Sequence, residues 1–210
     1  MIHCIGDSHA SIFSGSEVMQ PVWPTRSKDM LNNFRSYRIG PATAYQLDNK
    51  LPILNNIVKL LNKEKDSLMF CFGEVDIRAH LKKQIDMQKR SVKDIVKECV
   101  DRYFKTILHY RGSGINVMVW GPIASWDVTN PYPGPSFGTC LERNEITKEF
   151  NEYIKSLCET ETIPFFTIYY DMLLPNGKTN TNYLDKTGIH LNDNSLVLIK
   201  NAFKNTIDFE

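Results

Sequence analysis

The chain has 210 residues, 42% of them hydrophobic and 23% charged, with 25 basic against 24 acidic side chains and a net charge of +1. That length suits one α/β domain with a single core, spanning residues 1–210, and the balanced charge gives no reason to expect nucleic acid or an anionic membrane surface as a partner. No run of about 18 apolar residues is present to cross a membrane, and the N-terminus lacks the basic and apolar regions of a secretory signal, so a cytoplasmic protein is expected.

Five runs have strand character: Met1–Ile5, Ser36–Ile39, Ser67–Phe72, Ile115–Trp120 and Ile163–Tyr169. The later ones are apolar almost throughout, as strands buried on both faces are. Helical patterns fall between them. Ala42–Asn62 reads as a helix with a break near Pro52. Ser91–Arg111 is the clearest, with Val92, Ile95, Val96, Cys99, Val100, Tyr103, Phe104, Ile107 and Leu108 on one face. Ser91 with Asp94 approximates a capping box and Gly112 is a plausible stop. Glu142–Glu159 repeats the pattern with Ile146, Phe150, Tyr153, Ile154 and Leu157 inward. A last helix is expected from Asn192 or Asp193, burying Leu196, Ile199 and Phe203 and leaving Lys200 in solvent. Strands alternating with helices imply an α/β fold, a three-layer α/β/α sandwich around a five-stranded parallel sheet. Two segments fit no regular element: Ser14–Asn32, and Ala124–Cys140 with Trp126, Tyr132 and Phe137. Both project from the strand ends where α/β sheets bind ligands, and long loops there often supply substrate contacts.

The cysteines, Cys4, Cys71, Cys99, Cys140 and Cys158, are odd in number and none are spaced C-x-x-C. Four of them, all but Cys140, lie in apolar patterns and read as small core residues in a reducing compartment. Neither a disulfide framework nor a metal site is expected.

The chemistry concentrates at the two ends. Ile2-His3-Cys4-Ile5 runs directly into Gly6-Asp7-Ser8-His9, which sets a serine hydroxyl at the end of the first strand. A serine hydroxyl needs a base to take its proton. Among the histidines, His109 lies in an amphipathic helix, His3 in a strand, and His9 in the serine turn itself. His190, in Gly188-Ile189-His190-Leu191 just before the last helix, is the best base for Ser8. Asp7 fits a turn-fixing role, through hydrogen bonds to backbone N–H groups, better than the role of base.

These residues resemble the SGNH (GDSL-type) hydrolases, and the likeness runs in order along nearly the whole chain. Gly6-Asp7-Ser8 is similar to the first block, with His9 where the family name has leucine. Tyr37-Arg38-Ile39-Gly40 resembles the second, whose glycine N–H helps form the oxyanion hole. Phe72-Gly73-Glu74-Val75-Asp76 resembles the third, and Gly188-Ile189-His190-Leu191 the fifth, which carries the base. The resemblance implies a flavodoxin-like SGNH hydrolase fold and a serine esterase with Ser8 as nucleophile, His190 as base, and Ser8 and Gly40 N–H groups on the oxyanion. It implies no cofactor.

Two departures stand out. Val75 occupies the place of the family's oxyanion asparagine, and one lost oxyanion donor costs roughly 10²–10³ in rate. Arg78, in Asp76-Ile77-Arg78-Ala79-His80, is the candidate substitute, either on the developing charge or on an anionic substrate group. The alternative is a buried ion pair of Arg78 with Glu74 or Asp76. The family's acid sits three residues before the histidine, where this chain has Thr187. Asp185, five before, is the candidate third member of a triad, and the alternative is a Ser8–His190 dyad with a backbone carbonyl or Thr187 orienting His190. Asp7, Glu74, His80 and Trp126 are expected around the substrate. The Trp126 loop either stacks on a sugar ring or packs on the sheet.

The expected partner is a small-molecule or glycan ester, with a short O-acetyl group on a carbohydrate as the implied substrate, no nucleic acid and no membrane span. A sugar O-acyltransferase and a non-catalytic glycan-binding module of the same fold are the competing expectations.

Overall fold

The computed structural model describes residues 1–14, 31–40, 42–126 and 136–206. Residues 15–30 of the first long connection and 127–135 of the second, Tyr132 among them, lie outside the described residues.

Five strands form one sheet: β1 (Ile2–Gly6), β2 (Phe34–Arg38), β3 (Ser67–Cys71), β4 (Asn116–Trp120) and β5 (Phe165–Phe166). Their order is β2-β1-β3-β4-β5 and every pairing is parallel. This is the doubly wound order of flavodoxin-like sheets, with the switch in direction between β1 and β3. Side chains alternate between the faces. Leu68 and Phe70 of β3 join Val117 and Val119 of β4 in a core shared with α1 (Leu51–Val58), α4 (Val92–Gly112) and α5 (Cys140–Thr160). Met69, Cys71 and Trp120 point the other way, into a second core with Ile12, Phe13 and the residues of α6 (Leu196–Phe203). Each face of the sheet therefore has its own helical layer, and the three-layer α/β/α sandwich follows.

The caps are local and legible. Ser91 Oγ accepts the Asp94 N–H at 3.1 Å to start α4. Thr139 and Glu142 form a reciprocal capping box at the start of α5. Pro52 does not break a helix. It occupies the first turn of α1, where its missing N–H has no intrahelical acceptor to lose. A 3₁₀ turn, Leu47–Lys50, leads into it, and the expected helical start at Ala42 is not realised. α4 continues through Gly112.

The last strand is shorter than the apolar run Ile163–Tyr169. Only Phe165 and Phe166 pair with β4, and a 3₁₀ turn at Tyr170–Met172 ends the extended segment. An edge strand has ladder partners on one side only.

One helical stretch has no counterpart in the sequence pattern. Glu74–Asp76 (α2), a π-helical turn at Ile77–Leu81 and Lys82–Gln88 (α3) follow one another without interruption. The wide turn distorts the 3.6-residue period that marks a helix in sequence. No residue of α3 is buried, so the rest of the rod shows no apolar stripe.

In α6, Ile199 and Phe203 are buried, Leu196 is half-buried and Lys200 is exposed. The Phe203 ring lies 4.1 Å from Phe166, 5.3 Å from Phe34 and 5.9 Å from Trp120, centroid to centroid. It ties α6 to both edges of the sheet. Among the described residues no helix is long and apolar enough to cross a membrane. Phe203→Ala is expected to lower the unfolding free energy by about 3–5 kcal/mol, read as a shifted midpoint in urea with the slope unchanged.

Candidate active site

Gly6 ends β1 at a crowded point. A Cβ there would run into the Cys71 carbonyl oxygen and lie 2.9 Å from the Cβ atoms of Ala10 and Cys71. Glycine is what lets β1 approach β3 while the chain turns at once into the 3₁₀ helix Ser8–Ser14. The side chain of Asp7 turns inward and is 1% exposed. Its Oδ1 accepts the His9 N–H at 2.9 Å, which fixes the turn. Ser8 is thereby left at the carboxyl end of the sheet.

His190 arrives from the opposite end of the chain on a short loop. Leu184 and Leu191 form an antiparallel bridge. The Asp185 N–H donates to the His190 carbonyl at 2.7 Å, and the Gly188 N–H to the Asp185 carbonyl at 2.9 Å. His190 Nε2 lies 2.8 Å from Ser8 Oγ. Its Nδ1 lies 3.5 Å from Asp185 Oδ2. That second distance is within ion-pair range but long for a hydrogen bond. A carboxylate on the Nδ1 side favours the tautomer protonated there, which leaves Nε2 to accept the serine proton.

Thr187, standing where the resembled family has its acid, holds Asp185 instead. Asp185 Oδ1 accepts from the Thr187 hydroxyl at 2.6 Å, from its N–H at 3.0 Å, and from the Ile189 and His190 N–H groups at 3.4 Å each. Burial pushes the Asp185 carboxyl up. The Thr187 bond, the His190 charge and the backbone donors outweigh it, and the net shift is downward. The carboxylate stays ionised beside the imidazole.

The surroundings keep both site histidines neutral. Burial lowers the pKa of His190, Asp185 works against that, and Arg78 and Arg38 reinforce it. Burial, then His190 and Arg78, lower that of His9 far below its ordinary value. The two rings lie 4.9 Å apart. Carboxyls behave in the opposite way. Burial raises Asp7 to about 7 and Glu74 to about 8. Glu74 also accepts the Ile123 N–H, which braces the end of β4 against the third block.

Gly40 sits at the neighbouring strand end. Gly6 pairs with Arg38 in register, and the Ile39 N–H donates to the Gly6 carbonyl at 2.9 Å, so Gly40 follows at the level of the serine turn. Its φ of +86° lies in the left-handed region that favours glycine.

A narrow cleft beside Ser8 is lined by His9, Glu74, Arg78, Trp126, Gly188 and Ile189. Arg143, a side chain 2% exposed on α5, holds its wall. It donates to the Trp126 carbonyl at 2.7 Å and, from the other nitrogen, to the Phe137 carbonyl at 3.2 Å, clamping both flanks of the second long connection. The Phe137 N–H in turn donates to the Arg78 carbonyl at 2.9 Å.

Of the residues singled out in the sequence, Ser8, His190 and Asp185 come together, with Gly40 at the adjacent strand end, and Glu74, Arg78 and Trp126 line the cleft next to His9 of the serine turn. Asp7 lies beneath the turn and does not line the cleft. His80 is exposed and lines a separate cavity with Asp76. His80 follows Arg78 by two residues, which puts it on another side of the rod. Thr187, an expected alternative orienter of His190, bonds Asp185 instead. Arg38 and Arg143 lie at the candidate site without having been singled out in the sequence. The only signal for Arg38 was its place at the end of the strand next to the one that runs into Ser8. Among the described residues no group of three or more His, Cys, Asp or Glu side chains is placed to hold a metal ion.

No protein-family description matches the chain, and no curated protein matches it. Solved structures do. A GDSL-like lipase from Bacteroides thetaiotaomicron superposes with a TM-score of 0.65 at 15% identity, over 97% of this chain and 85% of that one. This chain has the GDSL-type hydrolase fold. An acetyl xylan esterase gives a TM-score of 0.57 at 13% identity over 99% and 100% of the two chains. A carbohydrate acetylesterase from Sinorhizobium meliloti gives 0.55 at 16% identity over 97% and 96%. In this GDSL-type fold Ser8 and His190 stand at the carboxyl end of the sheet.

The raised carboxyls predict how stability varies with pH. Glu74 ionises near its ordinary 4.5 in the unfolded chain and near 8 in the folded one. Its protonated form therefore stabilises the fold fully below about 4.5, and that contribution is lost as pH rises towards 8. Glu74→Gln keeps an acceptor for Ile123 and removes the titration. Its unfolding free energy is expected to gain on that of the wild type as pH rises from about 5 to about 8, by up to about 1.4 kcal/mol per pH unit, read from urea midpoints at each pH. A difference independent of pH would mean that Glu74 is not held protonated.

Proposed function

We propose that this chain is a serine esterase that hydrolyses a short-chain ester, an O-acetyl group on a carbohydrate, through an acyl-serine intermediate. The observation that carries the reading is the 2.8 Å contact of Ser8 Oγ with His190 Nε2, backed by Asp185 on the other ring nitrogen. A nucleophile, its base and an orienting carboxylate in that sequence of contacts are what acyl transfer requires.

In the proposed reaction, His190 Nε2 takes the Ser8 hydroxyl proton as Oγ bonds to the ester carbonyl carbon. The carbonyl electron pair moves to oxygen, and the Ser8 and Gly40 N–H groups hold the resulting oxyanion. Arg78, in the cleft, supplies positive charge where Val75 supplies no donor. Collapse breaks the bond to the alcohol oxygen, which leaves with the proton from His190. Water then repeats the sequence on the acyl-serine and releases the acid. Asp185 holds the imidazole and stabilises its cationic form. The solved structures of an acetyl xylan esterase and a carbohydrate acetylesterase with the same fold support the choice of acyl and alcohol.

A fluorophosphonate probe read by intact mass tests the nucleophile. One adduct on the wild type, absent in Ser8→Ala, is expected, together with Ser8-dependent turnover of an aryl acetate. A folded wild type that takes no adduct and turns over no acetate would leave a glycan-binding module as the better reading.

The base has its own signature. With the His190 pKa lowered, partly by Arg78, the acid limb of kcat/KM is expected below pH 6.5. Arg78→Gln removes one of the cations and is expected to move the limb upward as well as to slow turnover by about 10²-fold, on the scale of a lost oxyanion donor. A lower rate with an unmoved limb would separate Arg78 from the electrostatics of the base.

A further inference from the structure

The rod formed by α2, the π-helical turn and α3 separates two concavities. Glu74 and Arg78 line the cleft beside Ser8. Asp76, His80, Gln84 and Gln88 recur every fourth residue and line a second cavity of about 270 Å³, whose other walls include Tyr45 and Glu98 of α4. A π-helical turn between two such faces fits the habit of these turns to sit at functional sites.

The second cavity lies close to the first along the chain. Asp76 follows Val75 directly. Its carboxylate, 1% exposed, accepts the Ala44 N–H at 2.7 Å and the Tyr45 N–H at 3.0 Å. It thus pins the segment that leaves Gly40 to the third block. Thr43, another lining residue, is three residues past Gly40, so the two Cα atoms are at most about 11 Å apart. A ligand reaching from Ser8 to this cavity needs the length of a short oligosaccharide.

The chemistry of the walls selects the ligand class. Glu98 accepts from Arg90 at 2.8 Å and from the Tyr45 hydroxyl at 3.1 Å. Gln88 donates to Gln84 at 2.8 Å and accepts from Arg90 at 3.0 Å. These groups hold one another in place, and each amide keeps further donor and acceptor capacity. An anion would meet the Asp76 and Glu98 carboxyls. A cation would find them already engaged by Ala44, Tyr45 and Arg90. A neutral ligand whose hydroxyls both donate and accept matches amides, an imidazole and a carboxylate beside an aromatic ring. The volume is below the roughly 300–1,000 Å³ of drug-sized sites, on the scale of one sugar ring.

We propose that this cavity is a subsite for one sugar ring of an oligosaccharide whose esterified residue lies at Ser8. The inference rests on the esterase reading and narrows its substrate from an acetylated sugar to an O-acetylated oligosaccharide.

The test compares kcat/KM for O-acetylated β-1,4-linked trisaccharides of xylose, glucose and N-acetylglucosamine with the matching acetylated monosaccharides. At least one trisaccharide is expected to be preferred by about tenfold, the scale of one or two hydrogen bonds. Gln84→Leu and Gln88→Leu, at half-buried and exposed positions that leave the cores intact, are expected to reduce that preference at least about fivefold. Ser8-dependent turnover of aryl acetate with no trisaccharide preferred, or a preference that both variants retain, overturns the subsite and leaves the esterase standing. No turnover of any acetate overturns the esterase reading, and the subsite with it.

Discussion

The Ser8–His190 hydrogen bond joins residues 182 positions apart in the chain. Closing a loop of that length costs about 4–5 kcal/mol, against roughly 1 kcal/mol for the bond itself. The contact is therefore imposed by the rest of the fold. Two packing arrangements impose it. Gly6 lets β1 lie close against β3, which sets where Ser8 emerges. Phe203, wedged among Phe34, Trp120 and Phe166, seats α6 and with it the loop that carries His190. The contact is downstream of an aromatic core.

Low dielectric is the second organising constraint. Burial pulls histidines and carboxyls in opposite directions, and here it does so within one small volume. The two histidines are shifted towards their neutral forms. Glu74 and Asp7 are pushed towards neutrality, which limits the negative charge around Ser8. Asp185 is the exception, because Thr187 and the Ile189 and His190 N–H groups solvate its Oδ1 while Oδ2 faces the imidazole. The arginines at 38 and 78 reinforce the arrangement, since each disfavours a cationic imidazole and favours an anion at Ser8.

The third block shows how a departure at one position is absorbed by its neighbours. Val75 brings no amide to the oxyanion side. The same helical rod brings Arg78 into the cleft on one face and uses Asp76 on another to fix the segment after Gly40. Fixing the segment after Gly40 and lining the second cavity are thus tasks of one carboxylate. A two-residue offset along the rod separates these two faces.

The sequence by itself determined the sheet, the helical layers around it, and the two termini as the place of the candidate site. Those features follow from local patterns: apolar runs of strand length, 3-1-3-1 spacing in α4 and α5, and glycine turns at Ser8 and His190. It also put Asp185 in contention, although five residues of separation say nothing about reach. Tertiary structure decided what depends on loop path and helix phase. The tight Leu184–Leu191 loop brings Asp185 to the imidazole and turns Thr187 into its support. A helical rod that a 3.6-residue period does not reveal carries Arg78 to the cleft and, two residues on, turns His80 away from it. Pro52 starts a helix where the pattern suggested a break, because its missing N–H is harmless only in a first turn. Arg38, Arg143 and His9 acquire their roles from packing between segments distant in sequence, and no local pattern encodes such contacts.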